Sequence, residues 1–516
     1  MSTAQGLSAQ GLTERGLTAQ GWGWRHAGRS EWAVRDVSFH IEEGERVLLL
    51  GASGAGKSTL LHALAGVLGG DEEGTEQGRL LVDGRHPTRA RGQVGLVLQD
   101  PDSQVVLAQV GDDVAFGLEN LAVPREQIWP RVGAALEAVG LDVSLERPTS
   151  ALSGGQKQRL AIAGVLAMQS RVLLMDEPTA NLDPQGATEV RNVVARLTRE
   201  QGTTLVVVEH RVDLWADLVD RVLVLGPDGG LLADGNPQRV FVEHRQALLD
   251  AGVWVPGEPL PPSLETAATA GSPDAGRSIL HTEALDIGHS AQHVVQQGLE
   301  VAIPAGRSTM VTGANGAGKS TLAMTMAGLL PQLDGRVVAE RQLWPSTQIV
   351  RGRWRRRSLD PADPGNWASR DLLTRIGTVF QEPEHQFVTS RVRDELAVGL
   401  HCLAERDGSW TPERIAHRVD ELLALLHLNR VAQANPFTLS GGEKRRLSVG
   451  TVLATGPQVI FLDEPTFGQD RNTWLDMVQL VRSMLERERT VVSITHDADF
   501  IRTLGQHRVQ LEVQHG

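Results

Sequence analysis

The residues best suited to chemistry fall in a glycine-rich run, Gly51-Ala-Ser53-Gly54-Ala-Gly56-Lys57-Ser58-Thr59, and in its second copy, Gly313-Ala-Asn315-Gly316-Ala-Gly318-Lys319-Ser320-Thr321. Glycines at these spacings let backbone N–H groups turn inward around phosphate oxygens. The helix expected to follow would add the positive end of its dipole. Lys57 and Lys319 then reach the β- and γ-phosphates, and Ser58 and Ser320 can ligate Mg²⁺. A second constellation is the carboxylate pair Asp176-Glu177, repeated as Asp463-Glu464. In each pair the aspartate can hold Mg²⁺ through water while the glutamate polarises an attacking water. His210 and His496 each follow a further apolar run, where an imidazole can contact the γ-phosphate. This set of groups is that of a nucleoside-triphosphate hydrolase.

Positioning these groups requires strands that end at them. Val47-Leu-Leu-Leu50 is a short continuous apolar run feeding the first glycine loop, as expected of a strand buried on both faces. Leu60, Leu61, Leu64 and Leu68 then follow helical spacing, with Gly69-Gly70 expected to end the helix. Val172-Leu-Leu-Met175 and Leu205-Val-Val-Val208 supply two more buried strands, so the fold expected is α/β, a mostly parallel sheet flanked by helices. Carboxylates at the C-terminal end of such a strand sit where α/β sheets bind ligands.

The chain is written twice. The phosphate loops are offset by 262, from Lys57 to Lys319, and Leu152-Ser153-Gly154-Gly155-Gln156 returns 287 residues later as Leu439-Ser440-Gly441-Gly442-Glu443. The acidic pairs share the offset of 287, and the histidines are 286 apart. The second half therefore carries about 25 extra residues between glycine loop and Ser-Gly-Gly, mostly within 341–370. That insertion has seven Arg and two Asp, including Arg353-Trp-Arg-Arg-Arg357. It reads as a solvated loop, with contact to an anionic surface as the alternative. The domains expected are 17–250 and 281–516, joined by a linker over 251–280 with five Pro and four Gly. Residues 1–16, largely a five-residue repeat, read as a flexible tail.

Composition excludes several classes. With 41% apolar and 22% charged residues the chain is globular. The net charge of −13 has the wrong sign for a protein whose main ligand is nucleic acid. A single cysteine, Cys402, allows no internal disulfide and points to a reducing cytoplasm. No apolar run approaches the roughly 18 to 20 residues that cross a bilayer, and the N-terminus lacks a secretory layout, so no spanning segment is expected.

With these motifs in the order glycine loop, Gln, Ser-Gly-Gly, Asp-Glu, His, both halves resemble ATP-binding cassette (ABC) ATPase domains. The resemblance implies two tandem P-loop domains, each a mostly parallel sheet with an antiparallel β subdomain and a helical subdomain carrying the signature. It implies ATP and Mg²⁺ as cofactors, with metal ligation by Ser58, Gln99 and Asp176 and by Ser320, Gln381 and Asp463. It also implies an intramolecular pseudo-dimer in which Ser440-Gly441-Gly442 completes the site begun by Lys57 and Ser153-Gly154-Gly155 that of Lys319. Ser153 is in any case a good N-cap ahead of Leu160, Ile162 and Val165.

Gln99-Asp-Pro-Asp-Ser-Gln104 before Asp112-Asp113, and Gln381-Glu-Pro-Glu-His-Gln386 before Asp394-Glu395, are similar to the ATPases of energy-coupling-factor importers of vitamins and of cobalt or nickel ions. In such proteins Gln99 and Gln381 would approach Mg²⁺ and the attacking water. The adjoining groove would receive membrane-embedded partners, a scaffold permease and a substrate-binding protein, at the cytoplasmic face of the membrane. The aromatic that stacks on adenine is a Tyr in this family, and its positions here are expected to be Trp24 and His289; imidazole is the poorer surface. After Asp-Glu-Pro-Thr the first half keeps Ala180-Asn-Leu-Asp183, whereas the second reads Phe467-Gly-Gln-Asp470. Alternatives are the ATPase of an exporter or peptide importer, and a tandem-cassette ribosome-associated translation factor, which would need a long charged helical linker. DNA-repair ATPases would need a coiled coil for which the 96 residues from Lys57 to Ser153 leave no space.

Overall fold

The structure is a computed structural model, and it describes residues 15–514 apart from 71, 181, 263, 265–276, 291, 346–349, 352–356, 359 and 406–407; for 201, 289, 350, 351, 357 and 358 it describes the backbone alone. The chain divides into two compact units, Met1–Glu258 and Pro259–Gly516. In the first, strands β1 (Leu17–His26), β2 (Val34–Ile41) and β4 (Gly74–Val82) form an antiparallel sheet of order β2-β1-β4. Strands β3 (Arg46–Gly51), β5 (Val94–Val97), β6 (Val172–Asp176), β7 (Thr204–Val208), β8 (Arg221–Leu225) and β9 (Leu231–Gly235) form the main sheet, β5-β6-β7-β3-β8-β9. All its pairings are parallel except β8 with β9. The runs read as doubly buried strands are that: every residue of β6 and β7 is buried.

The second unit repeats the plan. Its antiparallel part is β10 (Ser278–Ser290) flanked by β11 (His293–Leu299), β12 (Ala302–Pro304) and β14 (Asp334–Ala339). Its parallel sheet runs β17-β18-β19-β13-β20, from β13 (Ser308–Thr312), β17 (Ile376–Val379), β18 (Val459–Asp463), β19 (Thr490–Ile494) and β20 (His507–Gln510). Inside the insertion, β15 (Val350–Arg351) pairs with β16 (Arg357–Ser358), while Arg353, Arg355 and Arg356 lie outside the described residues. A helical layer stands beside each parallel sheet: Val110–Asn120, Arg125–Ala138 and Gly154–Ala167 in the first unit, Val392–Ala404, Pro412–Leu425 and Gly441–Thr455 in the second.

Three boundaries differ from expectation. The proposed linker is shorter at both ends. Ala251, Val253 and Val255 are buried in the first unit's core, and β10 begins at Ser278 with Ile279 and Leu280 buried. Proline and glycine there marked irregular chain, but the interleaved apolar residues still found a core to enter. The helix after Lys57 stops at Leu64 rather than at Gly69-Gly70: Gly66 takes φ 70°, and a Cβ there would lie 2.7 Å from Pro87 O, so no side chain fits. β1 opens at Leu17, and residues 1–14, most of the segment read as a tail, lie outside the described residues.

Candidate functional site

In both units the strand before the glycine loop, β3 or β13, delivers it to the start of a helix, Lys57–Leu64 or Lys319–Met326. The residue ahead of each helix, Gly56 or Gly318, is left-handed, at φ 90° and 86°; a Cβ on Gly56 would lie 2.1 Å from Ala33 O. Gly54 and Gly316 also have positive φ but face open space, so they are glycine for backbone shape alone and leave the loop's outer face clear. Lys57 Nζ donates to Gly51 O and Ala52 O at 2.8 and 2.9 Å, and Lys319 Nζ to Gly313 O and Ala314 O at 2.8 and 3.0 Å. Each ammonium thus spans its own loop, where it is nearly buried.

Strands β6 and β18 end at the aspartates. Asp176 hydrogen bonds Ser58, and Asp463 hydrogen bonds Ser320; burial pushes both carboxyls above the usual range. On each, Oδ1 is buried with no hydrogen-bond partner. A buried acceptor of this kind beside a serine hydroxyl fits a divalent cation that completes its shell with phosphate oxygen and water. Among the described residues no group of three His, Cys, Asp or Glu side chains is arranged to hold a metal ion.

The glutamates that follow are held in an unusual backbone conformation. Glu177 and Glu464 both have φ 46°, and their N–H groups donate to Val208 O and Ile494 O at 3.0 and 2.9 Å. A left-handed non-glycine residue at the same point of both halves marks a backbone over-determined by its surroundings. The first half then gathers three side chains: Gln99 Nε2 donates to Glu177 Oε2 at 2.8 Å, and His210 Nε2 lies 3.1 Å from Glu177 Oε1. The second half is looser. His496 Nε2 is 3.8 Å from Glu464 Oε1, and Gln381 is exposed, with no side-chain hydrogen bond to a described residue. Burial, with Asp463 adjacent, pushes the Glu464 carboxyl up to about 7.

Each signature serine heads a helix. Ser153 caps Gly154–Ala167 and Ser440 caps Gly441–Thr455, and each forms a reciprocal capping box with the motif's fifth residue, Gln156 or Glu443. Both residue types accept from the cap's N–H, which explains why the copies differ there without consequence for the helix start. Lys157 pairs with Asp102, and Lys444 with Glu384, tying each signature helix to the Gln segment of its own unit.

Sequence reasoning missed what fixes that segment. Gln104 donates to Leu96 O at 3.0 Å and accepts from Leu98 N at 2.9 Å; Gln386 does the same to Thr378 O and from Phe380 N. The second Gln of the pattern therefore staples the turn onto the strand that presents the first. Asp113 accepts from Val106 N and Leu107 N, both at 2.8 Å, as Glu395 accepts from Val388 N and Thr389 N. Their recurrence at equal spacing was the available signal.

One expected residue is displaced. Trp24 is only 2% exposed, packed in the core against Gly74, and its indole cannot stack on a base. Two residues on, His26 is half-buried and lies 3.2 Å, Nε2 to Oγ1, from Thr59 of the phosphate loop. Ile287, two residues before His289, is buried as Trp24 is, so His289 corresponds to His26. The near-constant offset, 263 from 26 to 289 beside 262 for the loops, pointed to that pairing. His289 lies in β10, and its side chain is outside the described residues.

A phosphate loop between strand and helix, an acidic pair at the next strand's end and a histidine beyond it define a P-loop nucleoside triphosphatase, here present twice. The profile of the ABC transporter family matches residues 34–180 and 296–467, and the chain belongs to this family. A Bacillus subtilis protein provisionally named HMP/thiamine import ATP-binding protein YkoD is 34% identical over 494 residues, covering 90% of this chain and 84% of that one. A Methanosarcina acetivorans protein provisionally named ABC transporter ATP-binding protein is 32% identical over 513 residues, 90% of this chain and 79% of that one. Among solved structures, ribosome-bound archaeal Pelota and ABCE1 matches with TM-score 0.61 and 19% identity, over 95% of this chain and 76% of that one, a likeness of fold. CbiO1 of Clostridium perfringens, part of the transporter complex CbiONQ, is 34% identical over 46% of this chain and 95% of its own, with TM-score 0.41. The chain is an ATPase, the ATP-binding subunit of an ABC transporter.

Proposed function

We propose that this ATPase powers an energy-coupling-factor importer of a vitamin or a transition-metal ion, docked at the cytoplasmic face of the membrane. The carrying observation is the duplicated Gln-x-Pro-x-x-Gln segment with its stapled turn and paired acid. The Bacillus relative, named for import of HMP or thiamine, supports it over nearly the full chain. Among the described residues no helix is long and apolar enough to cross a membrane, so the pore would belong to partners, a scaffold permease and a small substrate-binding protein held at the Gln-segment grooves.

In this reading each phosphate loop binds ATP through Gly51, Ser53, Gly54, Gly56, Lys57, Ser58 and Thr59, or their second-half counterparts. Asp176 and Asp463, with Ser58, Ser320, Gln99 and Gln381, would hold Mg²⁺, which supplies charge neutralisation on the phosphates when bound. Glu177 and Glu464 orient and polarise the attacking water, and His210 and His496 hold it toward the γ-phosphate. Signature Ser440-Gly441-Gly442 completing the first site and Ser153-Gly154-Gly155 the second belongs to the same proposal, as does His26 facing the adenine in place of Trp24.

Solubilising native membranes and purifying the tagged chain tests the assignment. One scaffold membrane protein together with a small membrane protein should be recovered. Recovery of ribosomes, or of a permease pair without a small substrate-binding subunit, would contradict it.

A further inference from the structure

The residues on either side of the two histidines are exchanged. The first half reads Glu209-His210-Arg211 and the second Thr495-His496-Asp497, so an acid stands before the histidine in one cassette and after it in the other. Both acids do the same work. Glu209 is 2% exposed; its Oε1 accepts from Thr179 N at 3.0 Å and from Thr179 Oγ1, and its Oε2 accepts from His210 N at 3.2 Å. Thr179 closes the Asp-Glu-Pro-Thr turn two residues after Glu177. In the second half Thr466, the counterpart of Thr179, donates Oγ1 to Asp497 Oδ2 at 2.9 Å.

We propose that Glu209 in the first cassette and Asp497 in the second are positioning residues, each clamping the turn behind its catalytic glutamate to the chain around its histidine. The inference rests on the assignment of Glu177 and Glu464 above. Glu177 itself is held by its N–H to Val208 O, by Ala180 N on its carbonyl and by Gln99 and His210 on its carboxylate; the clamp adds an anchor for Thr179, at the far end of the same turn. Burial, with Glu177 nearby, pushes the Glu209 carboxyl up, while the donors Thr179 N, Thr179 Oγ1 and His210 N offset part of that cost.

The two clamps reach different neighbours. Asp497 Oδ2 also accepts from Trp474 Nε1 at 2.6 Å, and its Oδ1 caps the helix Ala498–Leu504 through Asp499 N and Phe500 N at 2.9 and 3.0 Å. Trp474 lies in the helix Arg471–Glu486, which Asp470 caps; Ala187 stands at its place in the first half. The second clamp therefore also grips the helix that follows the altered Phe467-Gly-Gln-Asp470 sequence. The first does not.

Steady-state ATPase and thermal melting of the full chain test the clamp. Glu209→Thr removes it, and Glu209→Thr with Arg211→Asp rebuilds it in the second cassette's form. With one of two sites impaired, Glu209→Thr should lower kcat about twofold at unchanged KM, and the double variant should restore it. Wild-type kcat in Glu209→Thr, or a loss that Arg211→Asp does not reverse, overturns the proposal. Should Glu209→Thr melt early, Glu209→Gln decides the case. Its amide keeps one acceptor but turns a donor toward His210 N, so kcat should still fall, and an unchanged kcat overturns the clamp. Glu177→Gln is measured alongside: if it too leaves ATPase intact, the glutamate assignment fails; if it alone cuts ATPase, only the clamp does.

Discussion

Buried acids give the second unit a clear electrostatic signature. Glu464 has a folded pKa raised from 4.5 to about 7, chiefly by burial. Between those values the folded chain binds more protons than the unfolded chain, so its stability falls as pH rises. Glu464→Gln has no such slope. In Mg²⁺-free buffer its stability relative to wild type should therefore improve from about pH 4.5 to about pH 7 and then level off. Urea midpoints across that range check the sign. Arg445 is a second residue-scale difference. It is buried, its pKa lowered to about 10 by that burial, and it donates to Phe380 O at 2.9 Å with Asp463 and Glu464 nearby; Gln158 stands at its place in the first half, with Nε2 buried and unpartnered. Arg445→Met strands those groups and should destabilise the second unit by about 3 kcal/mol, read from urea unfolding. The residue types of both sites were legible in the sequence because glycine, lysine and paired acids at fixed spacing have few other uses. Trp24 was misread because an aromatic beside a phosphate loop is equally a core residue, and residues two apart on a strand share a face, so alternation could not separate Trp24 from His26; what separates them is that Trp24 is buried while His26, at the strand's end, reaches Thr59.

At the scale of elements, the sequence displayed strands well and helix ends less well. β6 and β7 were visible as unbroken apolar runs, whereas the helix after Lys57 ends where Gly66 must pass Pro87, a contact between segments far apart in sequence. The Gln segments show the same limit. Their pattern was recognisable, but that Gln104 and Asp113 act as hydrogen-bond staples appears only when strand, turn and helix are brought together. Asp113→Ala leaves Val106 N and Leu107 N without their acceptor and should cost about 1–3 kcal/mol, with the loss greatest in the turn carrying Gln99. Hydrogen exchange of residues 99–107 should accelerate in that variant while β6 and β7 stay protected. Uniform acceleration across the first unit would contradict a local staple.

For the molecule as a whole, duplication is the organising fact: two units with the same sheet plan and matching phosphate loops, yet with unequal surroundings for Glu177 and Glu464. The repeat was readable from offsets alone; the unequal contacts of the two glutamates were not, because Gln99 reaches Glu177 at 2.8 Å and His210 comes within 3.1 Å of it while His496 stays 3.8 Å from Glu464, distances that appear only in the folded halves. The central claim is that both halves hydrolyse ATP through these glutamates. Steady-state ATPase of the purified chain carrying Glu177→Gln, Glu464→Gln or both tests it most directly. Each single variant should lower the rate, and the double variant should lose it by about 100-fold or more. A single variant that keeps the wild-type rate, or a double variant that still turns over, would contradict it.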